Sequence, residues 1–118
     1  MSRPIRIQDA HRAYFVSNYT IQHTYLFIPR DTLNRLILGC LARAVCKHHV
    51  QVFAFIFYLN RFEMLLSASH INLPKFMECF KGEVAKAINR HHGRSGKFFA
   101  RRYDIHRSPR CRHGKLRL

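Results

Sequence analysis

Val50-Gln51-Val52-Phe53-Ala54-Phe55-Ile56-Phe57-Tyr58-Leu59-Asn60-Arg61-Phe62-Glu63-Met64-Leu65-Leu66-Ser67-Ala68-Ser69 is the stretch on which the fold turns. Val50 to Leu59 is rich in β-branched and aromatic residues and apolar on both faces, which predicts a central strand covered on at least one side. A short turn near Asn60 leads into a second strand that ends around Ser69. Two charges, Arg61 and Glu63, flank Phe62 there. Alternation along a strand puts residues 61 and 63 on one face and Phe62, Met64 and Leu66 on the other. A charge within a core-like strand is costly unless it is paired or faces a functional groove. That face is therefore the first candidate site.

Outward from this stretch the elements alternate. Ala13 to Ile21 is aromatic and β-branched and reads as a strand. Pro29 and Asp31 then set up a helix start, with Asp31 as the expected N-cap. Leu33, Leu36, Ile37, Cys40, Leu41, Ala44 and Val45 follow at spacings of three and four, so the helix buries one stripe. After Ser69, Asn72-Leu73-Pro74 opens a second helix with Asn72 as cap and Pro74 in its first turn. Leu73, Phe76, Met77, Phe80, Val84, Ala87 and Ile88 form its apolar face, and Gly93 is its natural terminator. A last strand is expected over 97–105. The order strand, helix, strand, strand, helix, strand is the α+β, ferredoxin-like split βαβ arrangement. Its antiparallel sheet carries helices on one face and leaves the other open to extended ligands. Residues 1–107 are expected to form one domain whose first dozen residues are a basic arm. Residues 108–118 have no periodicity and are expected to be a disordered basic tail.

The 118 residues suffice for one modest core, with ten Phe and no Trp supplying most of the aromatic volume. Twenty-one Lys and Arg against six acids give a net charge of +15. Such a field points to a polyanionic partner, nucleic acid before acidic membrane. Cys40, Cys46, Cys79 and Cys111 form no CxxC pair, and no His spacing completes a zinc pattern. No signal peptide opens the sequence, so a cytoplasmic protein with free thiols is expected. The apolar run Val52–Leu59 falls far short of the ~20 residues a membrane helix needs.

From about Arg12 to Arg107 the sequence resembles the small tyrosine transposases of the HUH class, of the insertion-sequence-200-like and REP-associated kind. The resemblance is carried by Val52 to Phe57, the turn ending in Asn60, and Phe62-Glu63-Met64-Leu65-Leu66. Leu73-Pro74-Lys75-Phe76-Met77 and Asn89-Arg90-His91-His92-Gly93-Arg94-Ser95-Gly96 add to it, followed by an aromatic pair and Arg101-Arg102-Tyr103. It implies work on single-stranded or hairpin DNA. In such enzymes two His separated by one hydrophobic residue hold Mg²⁺ or Mn²⁺ against the scissile phosphate, and a Tyr on a later helix attacks it. Here Arg61 and Glu63 stand at the two His positions, and Leu59 replaces the Pro that commonly precedes the Asn. Phe98-Phe99 stands where the family usually has Trp, and the segment from Ser108 matches nothing in the helix that bears the nucleophile. No catalytic residue is carried over and no cofactor is expected beyond the metal the resemblance implies. A homodimer is compatible with the resemblance.

Three readings of the pair remain: a same-face ion pair, Arg61 gripping a DNA phosphate with Glu63 orienting it, or a degenerate metal site at Arg61 and Glu63 that retains metal-dependent cleavage. Arg61 and the basic C-terminal third, Lys86, Arg90, Arg94, Lys97, Arg101, Arg102 and Arg107, are the candidate DNA contacts. Asp104 is the only acid after residue 84, and Phe98, Phe99 and Tyr103 interleave with the cations as on single-strand-binding surfaces. Alternation across the last strand would turn at least one of Phe98 and Phe99 inward. The expected function is transposase-like DNA binding with impaired catalysis. The alternatives are an RNA-binding module on the same fold, or an active transposase completed in trans.

Overall fold

The computed structural model describes residues 11–69 and 71–107. The expected tail over 108–118 and all but the last two residues of the arm lie outside them. The chain runs through β1 (His11–Tyr19), a single 3-10 turn (Ile21–His23), α1 (Asp31–His48), β2 (Gln51–Tyr58), β3 (Arg61–Ser69), α2 (Asn72–His92) and β4 (Asp104–Arg107). The four strands form one antiparallel sheet in the order β2-β3-β1-β4. Both helices cover one face. This is the expected α+β, split βαβ architecture with an open sheet face.

β3 shows why the fold closes this way. Phe62, Met64, Leu66 and Ala68 are fully buried toward the helices, while Arg61, Glu63, Leu65 and Ser67 are half-buried on the opposite face. Fully burying side chains of this size stabilises by about 1.5–3 kcal/mol each. A one-residue slip would move the whole set to the wrong face. Against this row α1 presents Leu33, Ile37, Cys40, Leu41 and Ala44, and α2 presents Leu73, Phe76, Met77, Phe80, Val84 and Ile88. Phe62 meets Phe80 and Phe99 edge-on at centroid distances of 5.6 and 5.8 Å, the favoured offset of aromatic pairs.

Three sequence expectations need correction. The first concerns β2, which is an edge strand and not a central one. β1 pairs with β3 from His11↔Ser69 to Tyr19↔Arg61 and takes the central place beside it. A bulge between Val52 and Ala54 bends β2, and Phe53 and Ile56 are half-exposed. The second concerns the last strand. Regular pairing begins only at Asp104, and Phe98 and Phe99 are both buried, so the segment lacks the in–out alternation expected of a strand with one open face. The 97–103 segment is instead pinned to the end of β1 by Ile21 N–H to Phe98 O at 2.8 Å and Ala100 N–H to Tyr19 O at 2.9 Å. The third concerns the helix caps. Arg30 and Ile71 occupy the N-cap positions, each one residue before the expected cap, and neither makes a side-chain cap bond. Asp31 lies in the first turn, where a carboxylate complements the positive helix end. The Asn72 N–H is satisfied by Ser69 Oγ at 3.0 Å. Gly93, at φ 66°, ends α2 as expected.

Candidate nucleic-acid interface

The open face is organised by cross-strand register. Tyr58 on β2 and Tyr19 on β1 both pair with Arg61 on β3, so all three side chains stand in one row. The Arg61 guanidinium lies 3.9 Å from the Tyr58 ring centroid and 5.6 Å from that of Tyr19. Both distances are within the range of cation–π attraction. His23, held in the left-handed region at φ 56°, stacks on Tyr19 with centroids 4.2 Å apart and extends the row. Arg61 donates from Nε and Nη2 to Glu63 Oε2 at 3.2 and 3.1 Å, and Tyr58 Oη lies 3.4 Å from Glu63 Oε1. The same-face pairing expected of residues 61 and 63 is thus present. The turn beneath is clamped from two sides, by Thr20 N–H to Asn60 O at 2.9 Å and Phe27 N–H to Leu59 O at 3.0 Å.

The structure divides the other candidate cations into groups. Lys97, Arg101 and Arg102 are exposed on the segment that runs along the end of β1. Ala100 bonds Tyr19, which pairs with Arg61, so this segment lies two strand spacings, about 10 Å, from the Arg61 backbone. Arg90 is exposed in the last turn of α2, beside the same loop. Arg94 serves the loop itself: it donates to Asn89 Oδ1 at 2.6 Å and to Lys97 O at 3.2 Å. Gly96, at φ 97°, gives that loop a turn other residues resist, and its carbonyl accepts from Asn89 Nδ2 at 3.1 Å. Lys86 belongs elsewhere, in a groove between the two helices with Lys47, Lys75, Glu78 and Glu83. Arg107 pairs through its backbone with Tyr14, five residues or about 17 Å along β1 from Tyr19. Arg61, Arg90, Lys97, Arg101 and Arg102 therefore share one end of the sheet, and Lys86 and Arg107 do not.

Lys81 and Asn18 were not among the sequence candidates. Lys81 Nζ and Asn18 Nδ2 both donate to the Arg101 carbonyl, at 3.3 and 3.1 Å, fixing the loop at its most basic point. Desolvation, reinforced by Arg102 and Lys97, lowers the Lys81 pKa to about 8 from 10.5. Burial raises that of Tyr103, against the opposing pull of Arg102. Burial works against the Arg61 charge, but hydrogen bonds to Glu63 and the proximity of Tyr19, Glu63 and Tyr58 outweigh it and raise its pKa. The Cys40 thiol is pushed up by burial, with Cys46 and Cys79 also free. Lys81 lies off the apolar stripe of α2, as Lys75 does, and nothing in its spacing distinguishes the two.

No protein-family model and no curated protein sequence matches the chain. Solved structures that share its fold include a candidate transposase from Deinococcus radiodurans R1, at a TM-score of 0.66 and 14% identity over 87% of this chain and 82% of that one. They also include a REP-associated tyrosine transposase bound to a REP hairpin, at a TM-score of 0.62 and 10% identity over 86% of this chain. The chain spans 59% of that second structure's length. At such identities the likeness is one of fold.

Proposed function

We propose that this chain is a DNA-binding protein on a transposase-like scaffold, holding a single-stranded or hairpin strand without cutting it. The observation that carries the reading is the Arg61–Glu63 pair on the open face, in a row of stacked rings. In the enzymes the sequence resembles, that position holds the metal-binding pair. Glu63 offers oxygen ligands, but one of them is taken up by the guanidinium. A divalent cation seeks several oxygens and is repelled by an adjacent positive charge, so this donor set does not suit Mg²⁺ or Mn²⁺. The residues fit a phosphate instead. Arg61 Nη1 has no protein partner among the described residues, and Lys97, Arg101 and Arg102 continue the positive surface along the β1 end. Tyr58, Tyr19 and His23 supply faces on which bases can stack. The hairpin-bound neighbour supports DNA as the partner.

Titration of a labelled hairpin oligonucleotide with single-stranded flanks, across a salt series, tests this. Four neutralised phosphates give a slope of log K on log salt of about −3 for single strands. A flat response removes the reading, and so does an RNA of the same sequence that competes more strongly than the DNA. A covalent protein–DNA adduct in Mn²⁺ would return the chain to the cutting enzymes.

A further inference from the structure

Register carries the open face beyond the Arg61 row in two further rows. In the first, Ile56 on β2, Glu63 on β3, Ser17 on β1 and Asp104 on β4 stand abreast. In the second, Leu65, Phe15 and His106 do the same. Directly paired residues turn their side chains to one face, and Tyr14 and Val16, on either side of Phe15, are buried toward the helices. Phe15 therefore lies on the uncovered face of a central strand, 39% exposed. The other large apolar residues exposed within the described strands, Phe53, Ile56, Tyr58 and Ile105, belong to the edge strands β2 and β4. A ring exposed at the middle of a sheet adds little to the core and offers a flat surface to a planar ligand.

The row beside this ring carries the opposite charge to most of the molecule. The chain has six acids, and two of them, Glu63 and Asp104, stand on either side of Ser17. Their charge turns phosphate away from this strip and attracts the N–H donors of a base. Glu63 is committed to Arg61 and Tyr58. Asp104 is exposed and takes no part in either ion pair among the described residues. It is the diagonal neighbour of Phe15, about 7–8 Å away, an offset that puts a base stacked on the ring within reach of the carboxylate. Guanine suits that group best. Its adjacent N1–H and N2–H donors match the two oxygens of one carboxylate, whereas thymine sets two carbonyls around a single N–H. We propose that the open face reads one unpaired guanine, stacked on Phe15 and donating from N1 and N2 to Asp104, in the strand whose phosphates lie at the Arg61 end. The inference rests on the DNA-binding reading above and adds a base to it. Tyr19 and Phe15 are four residues, about 14 Å, apart along β1, so the Tyr19–His23 stack and the Phe15 ring hold separate bases.

A labelled hairpin with a flank of thymidines, each replaced in turn by deoxyguanosine, tests this on the unaltered protein. At one flank position guanine should tighten binding about tenfold over thymine, and hypoxanthine, which lacks the N2 amino group, should lose most of that gain. Asp104→Asn should cut the guanine-to-thymine ratio to about twofold, because an amide presents one acceptor oxygen and a donor where the carboxylate has two acceptors. Phe15→Leu should weaken binding of the guanine flank about fivefold. Strand binding with no guanine preference, or a preference that survives Asp104→Asn, overturns the inference and leaves the DNA reading standing. Deoxyguanosine and thymidine monophosphates, followed by backbone amide NMR shifts, need neither a strand nor a variant. Shifts at Phe15, Ser17 and Asp104 with the guanine nucleotide and not with the thymine one support the base site even where no hairpin binds, in which case only the DNA reading fails. Shifts that are equal for both nucleotides, scattered over the basic surface, or absent overturn it.

Discussion

Phe62 and Glu63 are neighbours in sequence, yet one is wholly enclosed and the other half-wet, and mutation should separate them. Phe62→Ala removes a ring that packs on Phe57, Phe80 and Phe99. It should cost about 3–5 kcal/mol, measured by urea unfolding. Lys81 carries a second test. Its pKa is about 8 in the folded chain and 10.5 in the unfolded one, so between these values the unfolded state binds more protons. Its contribution to stability therefore rises as pH climbs from about 8 to 10.5, and below pH 8 its burial is at its most unfavourable. Melting curves across that window should show the rise in the unaltered chain and a flatter profile in Lys81→Met. At this scale the pairing of Arg61 with Glu63 was legible, because it needs only the two-residue period of a strand. The ring row was not. Tyr58 and Tyr19 reach Arg61 through the register of two different strand pairs, and His23 through a left-handed turn, and none of these leaves a mark on local spacing.

Among the elements, β2 combines an edge position with an unusual lack of charge. From Val50 to Asn60 there is no ionisable residue except Tyr58, in a chain with 21 basic residues. Natural edge strands are usually blunted by Lys, Pro or a bulge, and here only the irregularity at Phe53 does so. Ile56→Lys, on the half-exposed open face, should suppress concentration-dependent light scattering while changing unfolding free energy by no more than about 0.5 kcal/mol. The same absence of charge explains why the sequence pointed to a central strand. Apolar residues on both faces are the mark of burial on both faces, and nothing in β2 itself records that β1 occupies the place beside β3. Helix existence and stripe were legible to within a residue because 3.6-residue periodicity is local. The 97–103 segment was not, since its form depends on bonds to Tyr19 and Ile21 far away in sequence.

For the whole molecule the net charge of +15 acts in two opposite directions. Repulsion among like charges destabilises the compact state, and counter-ions relieve it. Raising salt from dilute buffer to about 0.3 M should stabilise the fold by about 1 kcal/mol, an increase in melting temperature of about 4–8 °C for a domain near this size. The same addition should weaken strand binding, so calorimetry and binding titration are expected to move oppositely along one salt series. The sign of the field was legible in the composition; the places where it gathers were not, because Lys86 and Arg107 are distant from the Arg61 end only through the packing of α2 and the register of β4.

Sheet order also sets a timetable for synthesis. β1 finds its neighbours in β3 and in β4, the strand made last, whereas β2 and β3 meet across a two-residue turn. On the ribosome the β2–β3 hairpin can close early, while the segment from His11 to Tyr19, translated first, waits for both of its neighbours to emerge. Its aromatic and aliphatic side chains are meanwhile open to a chaperone or to another nascent chain. Slow decoding between Asn72 and Asp104 would lengthen that exposure, giving codon choice there leverage over yield that no property of the finished protein discloses.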